Sequence, residues 1–215
     1  MSVIARRTAA GNRLRLKRVM DLGVSSSLLV LLSPLLLAVA VAVRLDSRGP
    51  ALFRQKRVGI DGHEFTMLKF RSMCADAEQR LAGLAHLNAG GAHLIRIPAD
   101  PRVTRFGALL RRTSLDELPQ LVNVLRGEMS LVGPRPQSPG EVALYTPEQR
   151  ERLNVRPGMT GLWQVTSRDN PSFDEWVRLD LDYIRRWSLG LDLKILLRTP
   201  LVVLGTANRR TGVLP

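Results

Sequence analysis

From Leu22 to Val43 the chain runs through 22 residues without a charge, its longest such stretch. As a straight helix the run would be about 33 Å long, enough to cross the apolar core of a bilayer. Cations flank it on both sides: Arg13, Arg15, Lys17 and Arg18 before it, Arg44, Arg48, Arg54, Lys56 and Arg57 after it. A secretory signal fits the basic start and Ala38-Val39-Ala40, but the apolar run continues past that site. A spanning helix fits the length, yet positive flanks prefer the cytoplasmic side and a span can satisfy only one. A re-entrant hairpin satisfies both. Pro34 withdraws the amide that would bond Val30, and the Ser33 hydroxyl can serve the freed carbonyl. The symmetric charge favours the hairpin, with both chain ends in the cytoplasm.

Beyond it the pattern changes period. Ala51 to Val58 and Glu64 to Arg71 alternate as strands joined through Asp61-Gly62, a hairpin turn signal, with Lys69 and Arg71 on one face. Residues 74 to 99 are weakly patterned: an amphipathic piece to about Leu87, then the Gly-rich Asn88-Ala89-Gly90-Gly91, a variable insert. A short helix leads into Arg111 and Arg112. Leu118, Leu121, Val122 and Leu125 then form one apolar helical face, ended by Gly127, with Arg126 at the negative end of the dipole. Pro134, Pro136 and Pro139 make a rigid loop around Arg135, and Pro157-Gly158 follow Arg156. Phe173 to Trp187 reads as a helix with Trp176, Leu179, Tyr183, Ile184 and Trp187 on one face. Leu191 to Leu204 reads as a second, bent at Pro200. Core and membrane interface remain open for both.

The pattern predicts an α/β chain, mostly helical with a small β-hairpin. Three parts follow: a basic N-terminus and broken membrane helix over 1–46, a cytosolic domain over 47–205 and a frayed tail over 206–215.

Asp116 and Glu117 are the candidate chemistry. Ser114 and Glu117 have capping-box spacing, but that box would put Pro119 in the second turn, where its ring clashes. Starting the helix at Asp116, Glu117 or Leu118 puts Pro119 in the first turn and the two acids at the helix start. A carboxylate can attack phosphorus to give an acyl phosphate, and Mg²⁺ favours one or two carboxylates with phosphate oxygens.

Charge narrows the partners. With 32 Lys+Arg against 19 Asp+Glu the net charge is +13, which points to phosphorylated substrates, anionic membrane or nucleic acid. The single cysteine, Cys74, excludes a disulfide framework. His86 and His93 lie in a Gly/Ala-rich region without zinc spacing, and neither a P-loop nor a dinucleotide-binding glycine turn occurs.

Three groups of residues carry a family resemblance. These are Ser114-Leu115-Asp116-Glu117-Leu118-Pro119-Gln120 with Met129 to Pro136, Lys69-Phe70-Arg71-Ser72-Met73, and Asp100 to Gly107 with Val155 to Gly161. They resemble the bacterial sugar transferases, and within them the small monotopic polyprenyl-phosphate phosphoglycosyl transferases. The resemblance covers about Lys17 to Leu204. It implies a monotopic protein at the cytoplasmic face of the bacterial inner membrane, with a re-entrant helix broken at Ser33-Pro34 and interfacial amphipathic helices. It implies transfer of a sugar-1-phosphate from a UDP-sugar to a polyprenyl phosphate, releasing UMP, in surface or exopolysaccharide assembly. Asp116 would be the nucleophile and Glu117 the Mg²⁺ ligand. Lys69, Arg111, Arg135 and Arg156 would bind phosphates or nucleotide. Inner-membrane lipids are partners, nucleic acid is not, and a homodimer is compatible. The rival class is a membrane-anchored basic protein that binds anionic lipid or nucleic acid without catalysis; in it the acids are dispensable.

Overall fold

The computed structural model of the chain describes residues 3–88, 97–167 and 172–209; His93 and the Ala89-Gly90-Gly91 stretch lie outside them. Two helices open it, α1 (Val3–Leu31) and α2 (Ser33–Asp46), bent by 63° at their junction. The break has the expected chemistry: Pro34 has no amide to give, and Ser33 Oγ donates to Val30 O at 2.8 Å. Among the described residues no single helix is long and apolar enough to cross a membrane. Val30, Leu31, Leu37, Val41 and Leu45 around the bend are each more than half exposed.

The middle of α1 is no loose flank. Lys17 Nζ donates to Asp192 at 2.6 Å and to Val132 O at 3.0 Å. Arg18 donates to Val124 O and Leu125 O at 2.6 and 2.9 Å. Asp21 accepts from Leu131 N at 3.1 Å. Three of the charges before the apolar run are thus joints to the body of the protein, Asp21 buried and Lys17 and Arg18 partly so.

Strands β1 (Leu52–Val58) and β2 (Glu64–Phe70) pair antiparallel from Leu52↔Phe70 to Val58↔Glu64. The turn between them uses Asp61 at φ 54° and Gly62 at φ 79°, as its Asp-Gly signal predicts. Arg71 falls just past β2 and departs from Lys69. Its buried guanidinium grips the end of α2, donating to Ser47 O at 2.6 Å and Val43 O at 3.3 Å.

After β2 come α3 (Ala77–Leu81), α4 (Arg105–Thr113) and α5 (Gln120–Arg126), which Gly127 ends at φ 82°. The buried residues of α5 are Gln120, Leu121, Asn123 and Val124, with Leu118, Val122 and Leu125 only partly covered. The expected apolar stripe is corrected by Asn123. Its Oδ1 accepts from Leu68 N at 3.0 Å and its Nδ2 donates to Thr66 O at 2.8 Å, so the amide stands in for a further strand beside β2.

A parallel pair follows, β3 (Ser130–Val132) against β4 (Gly158–Thr160), with the short helices α6 (Pro139–Ala143) and α7 (Pro147–Arg150) between them. Then come α8 (Leu162–Thr166), α9 (Phe173–Arg186) and α10 (Leu189–Arg209). The main core joins Phe65, Met67, Leu121, Val124, Met129, Leu131, Val132, Tyr183 and Ile195. α9 is a core helix, burying Trp176, Leu179 and Tyr183. α10 divides: Ile195 is buried, while Leu193, Leu197, Leu201 and Leu204 form an exposed stripe. It extends past Leu204 to Arg209, with Pro200 inside it.

Candidate active site

Ser114 adopts the left-handed conformation at φ 55°, closes α4 and makes no side-chain cap to the turn that follows. The capping-box alternative therefore does not form. A single 3-10 turn, Leu115–Glu117, carries both acids, and Pro119 directly precedes α5. The helix start is delayed past the proline, further than the expected start at Asp116 to Leu118: Pro119 is the N-cap rather than a first-turn residue, and the acids sit in the separate turn before it.

Lys69 and Arg135 converge on Glu117. Lys69 Nζ lies 3.3 Å and Arg135 Nη2 2.9 Å from the same oxygen, Oε1. Burial pushes the Glu117 carboxyl up, but the charges and hydrogen bonds of Arg135 and Lys69 outweigh it and hold the group ionised. Asp116 behaves oppositely. Burial, aided by the Glu117 charge, pushes it up to about 6, against Lys69, Arg111 and Arg135. Among the described residues no side chain bonds its carboxylate. Two adjacent acids thus differ: Glu117 is fixed by cations, and Asp116 is buried, high in pKa and uncommitted.

Packing supplies the cations. Arg111 reaches the site from α4, where its Nε donates to Ser72 Oγ at 2.8 Å. That approach needs Gly107, since a Cβ there would collide with the Ser72 backbone. Arg135 rides the loop after β3, which crosses the loop before β4 so closely that a Cβ on Gly133 or Gly158 would strike the other backbone.

Two further arginines, missed by the sequence reading, hold that loop. Arg57 Nη1 donates to Pro136 O and to Glu141, each at 3.3 Å, while Gln55 accepts from its Nε and Nη2. Burial and the Arg135 charge lower Arg57 to about 10. Arg152 Nη2 donates to Arg135 O at 3.3 Å and to Asp180 at 2.7 Å, and its Nη1 donates to Tyr145 Oη. Strand alternation is the signal that could have found Arg57: it shares the half-covered side of β1 with Phe53 and Gln55, opposite Arg54 and Lys56. Nothing local marks Arg152.

Arg156 is not brought to the carboxylates. Its Nε donates to Gly127 O at 2.9 Å, at the opposite end of α5, about 10 Å away along a seven-residue helix. Among the described residues no cluster of three or more His, Cys, Asp or Glu side chains could hold a metal on its own.

The Arg152–Asp180 pair is almost fully buried. Replacing Arg152 with Met should strand the Asp180 charge and cost about 3–5 kcal/mol, read by urea unfolding. Adding Asp180→Leu should recover most of that loss. An Arg152→Met protein as stable as wild type would show that the pair is immaterial.

Residues 12–206 match the family model described as Bacterial sugar transferase. A UDP-glucose:undecaprenyl-phosphate glucose-1-phosphate transferase of Caulobacter vibrioides is 45% identical over 201 residues, 89% of this chain and 71% of that protein. An undecaprenyl-phosphate galactose phosphotransferase of Salmonella typhimurium is 42% identical, covering 92% of this chain and 41% of its own length. A galactosyl transferase of Streptococcus agalactiae is 47% identical over 169 residues, 78% of this chain. The chain spans only 37% of that last protein, so several relatives carry long segments outside the match.

Proposed function

The chain belongs to the bacterial sugar transferase family, and from that premise we propose that it transfers a sugar-1-phosphate from a UDP-sugar to a polyprenyl phosphate. The observation that carries the reading is the division of labour between Asp116 and Glu117. A buried, uncommitted carboxylate stands beside one already neutralised by Lys69 and Arg135.

In the first step Asp116 attacks the sugar-bearing phosphorus of the UDP-sugar. The bridging P–O bond breaks and UMP leaves with its electron pair. In the second step a phosphate oxygen of the polyprenyl phosphate attacks the same phosphorus, and the Asp116 carboxylate leaves. Lys69, Arg135 and Arg111 stabilise the charge on the transferred phosphoryl oxygens. Arg57 and Arg152 position the Arg135 loop.

Mg²⁺ fits this donor set. Lys69 and Arg135 both bond Glu117 Oε1, so Glu117 Oε2 is the protein oxygen that would hold it, alongside diphosphate oxygens. Bound there, the ion would neutralise the donor's diphosphate. The sparse protein ligand set suits a cation that keeps water and substrate oxygens rather than a closed protein cage.

The bent α1–α2 pair is read as a hairpin that dips into the membrane from the cytoplasmic face, with the exposed leucines of α10 lying at its interface. Single cysteines near residues 5 and 210 should both resist labelling from outside intact cells. Pro34→Ala restores an amide donor to Val30 O and should raise the fraction that spans. Labelling at residue 5 in the unaltered helix would replace the hairpin with a span.

The function is tested by measuring UMP release across a panel of UDP-sugars, with Mg²⁺ and polyprenyl phosphate. One active sugar, with a lipid product one sugar-phosphate heavier, is the expected result. Silence across a broad panel with folded protein would return the chain to the binding class.

A further inference from the structure

One polar residue interrupts the apolar run of α5. In Leu121-Val122-Asn123-Val124-Leu125 the Asn123 amide is the only polar side chain, and it is fully buried. Burying an amide costs free energy unless its hydrogen bonds are met. Asn123 meets them outside its own helix. Its Oδ1 accepts from Leu68 N at 3.0 Å, and its Nδ2 donates to Thr66 O at 2.8 Å and to Glu128 Oε2 at 2.7 Å. Both amide hydrogens are committed, which fixes the way the group faces. The main-chain oxygen is held as well, accepting from Glu128 N and Met129 N at 3.1 and 3.3 Å.

These bonds end next to the reacting groups on both sides. Leu68 directly precedes Lys69, whose Nζ lies 3.3 Å from Glu117 Oε1. On the other side the acid turn runs into α5 as one piece, since Leu121 N donates to Leu118 O and Val122 N to Pro119 O, each at 3.1 Å. A single side chain therefore ties the strand that carries the lysine to the helix that follows the carboxylates. Met67, Leu121 and Val124 also pack these elements together, but apolar contact has no direction. An apolar side chain at position 123 would fill the space and set no register. One step along a strand is about 3.3 Å, so a slip of part of a step takes Lys69 off Glu117. Arg135, the other cation on that oxygen, is carried by the loop after β3 and leaves β2 unfixed.

We propose that Asn123 is a positioning residue for the transfer: its amide holds β2 in register against α5 and so sets where Lys69 stands relative to Glu117. The assignment rests on the sugar-phosphate transfer proposed above. It complements Arg57 and Arg152, which hold the second cation from its own loop.

The test combines two substitutions at Asn123 with Lys69→Met. Asn123→Leu keeps the bulk of the side chain, Asn123→Ser removes most of it, and neither adds a charge. Exchange of labelled UMP into UDP-sugar, normalised to folded protein, is the rate measured. With Lys69 present, either substitution should lower kcat by at least about tenfold. In the Lys69→Met background the same substitutions should change it by less than about twofold, because no lysine is left to place. Val124→Ala, a core truncation one residue on, is the control for lost stability and should act equally in both backgrounds. Equal losses with and without Lys69, or the same dependence on Lys69 in Val124→Ala, overturn the proposal. Should Asn123→Leu not fold, Asn123→Ser carries the cycle. A second measurement needs no activity. Zero-length carbodiimide coupling should join Lys69 to Glu117 in wild type, read as a crosslinked peptide by mass spectrometry, and be largely lost in the folded variants. Undiminished coupling in them overturns the placement. If wild type neither exchanges UMP nor transfers sugar-phosphate, the functional reading fails, and the crosslink still decides whether Asn123 places Lys69.

Discussion

Asp116→Asn protein is expected to fold as well as wild type and to transfer almost no sugar-phosphate. Asn keeps the size of the side chain and would serve nearly as well in any capping role. It lacks the anionic oxygen needed to attack phosphorus, so a loss on the order of a thousandfold or more is expected. Stability should not fall with it. Burial and the Glu117 charge raise the folded pKa of Asp116 to about 6, above its unfolded value, so the folded state holds the proton more tightly. Between the unfolded and folded values stability therefore declines as pH rises, and above both the ionised carboxylate is a net cost. Removing the charge should leave Tm at pH 7.5 equal or higher, read by thermal unfolding.

The same shift sets the pH profile. The nucleophile is active only when ionised, so kcat/KM for exchange should fall as pH drops through about 6, an apparent value belonging to the acid pair. With UDP-sugar and no lipid, wild type should release one UMP per molecule and gain one sugar-phosphate in mass, and the Asn variant should do neither. A near-normal rate in Asp116→Asn would end the nucleophile reading.

How much of this was legible depends on the range of the interaction. The broken helix could be read down to its atoms, because Pro34 and Ser33 act on Val30, one turn away. The β-hairpin was legible because an Asp-Gly turn and two alternating runs are local signals. The start of α5 was legible in part: Pro119 excludes a start at Ser114, but the helix begins at Gln120 rather than between Asp116 and Leu118. Where a side chain's partner is distant in the chain, local pattern did not name the partner. Asn123 looks like a polar position on a helix, yet it is fully buried because its amide completes the edge of β2, 55 and 57 residues away. Lys17, Arg18 and Asp21 look like a membrane flank, yet they bond groups 106 to 175 residues distant. Arg156 has a Pro/Gly loop like that of Arg135, and its bond to Gly127 O at the far end of α5 is a contact that no local pattern announces. The carboxylate pair was visible as a motif. The cations that split its two roles, Lys69 and Arg135, were visible with it, while Arg57 and Arg152, which hold the Arg135 loop through its backbone carbonyls, were not.

Glu117→Gln should cut turnover at least about a hundredfold, as expected when a charge-stabilising group is lost, and raise the Mg²⁺ concentration needed for half-maximal rate. Gln keeps the shape but leaves Lys69 and Arg135 facing each other without the anion between them, so the fold should persist with a lower Tm. Lys69 is already lowered by burial, and the Glu117 charge is the main influence raising it. Without that charge Lys69 should lose its proton more readily, removing a phosphate-facing cation as pH rises. Asp116 responds in the opposite sense to acid. The Glu117 charge is one of the two influences that raise it, so the substitution should move the acid limb of the residual exchange rate below 6. A metal or binding defect alone would lower the rate at every pH and leave that limb where it was. A limb that stays in place, measured at saturating Mg²⁺, would mean that the group titrating in the reaction is not Asp116. Full activity of either protein in excess chelator would remove Mg²⁺ from the mechanism. An acid limb that moves down while the Mg²⁺ requirement moves up is the joint signature expected only if Glu117 both holds the ion and sets the proton affinity of its neighbour.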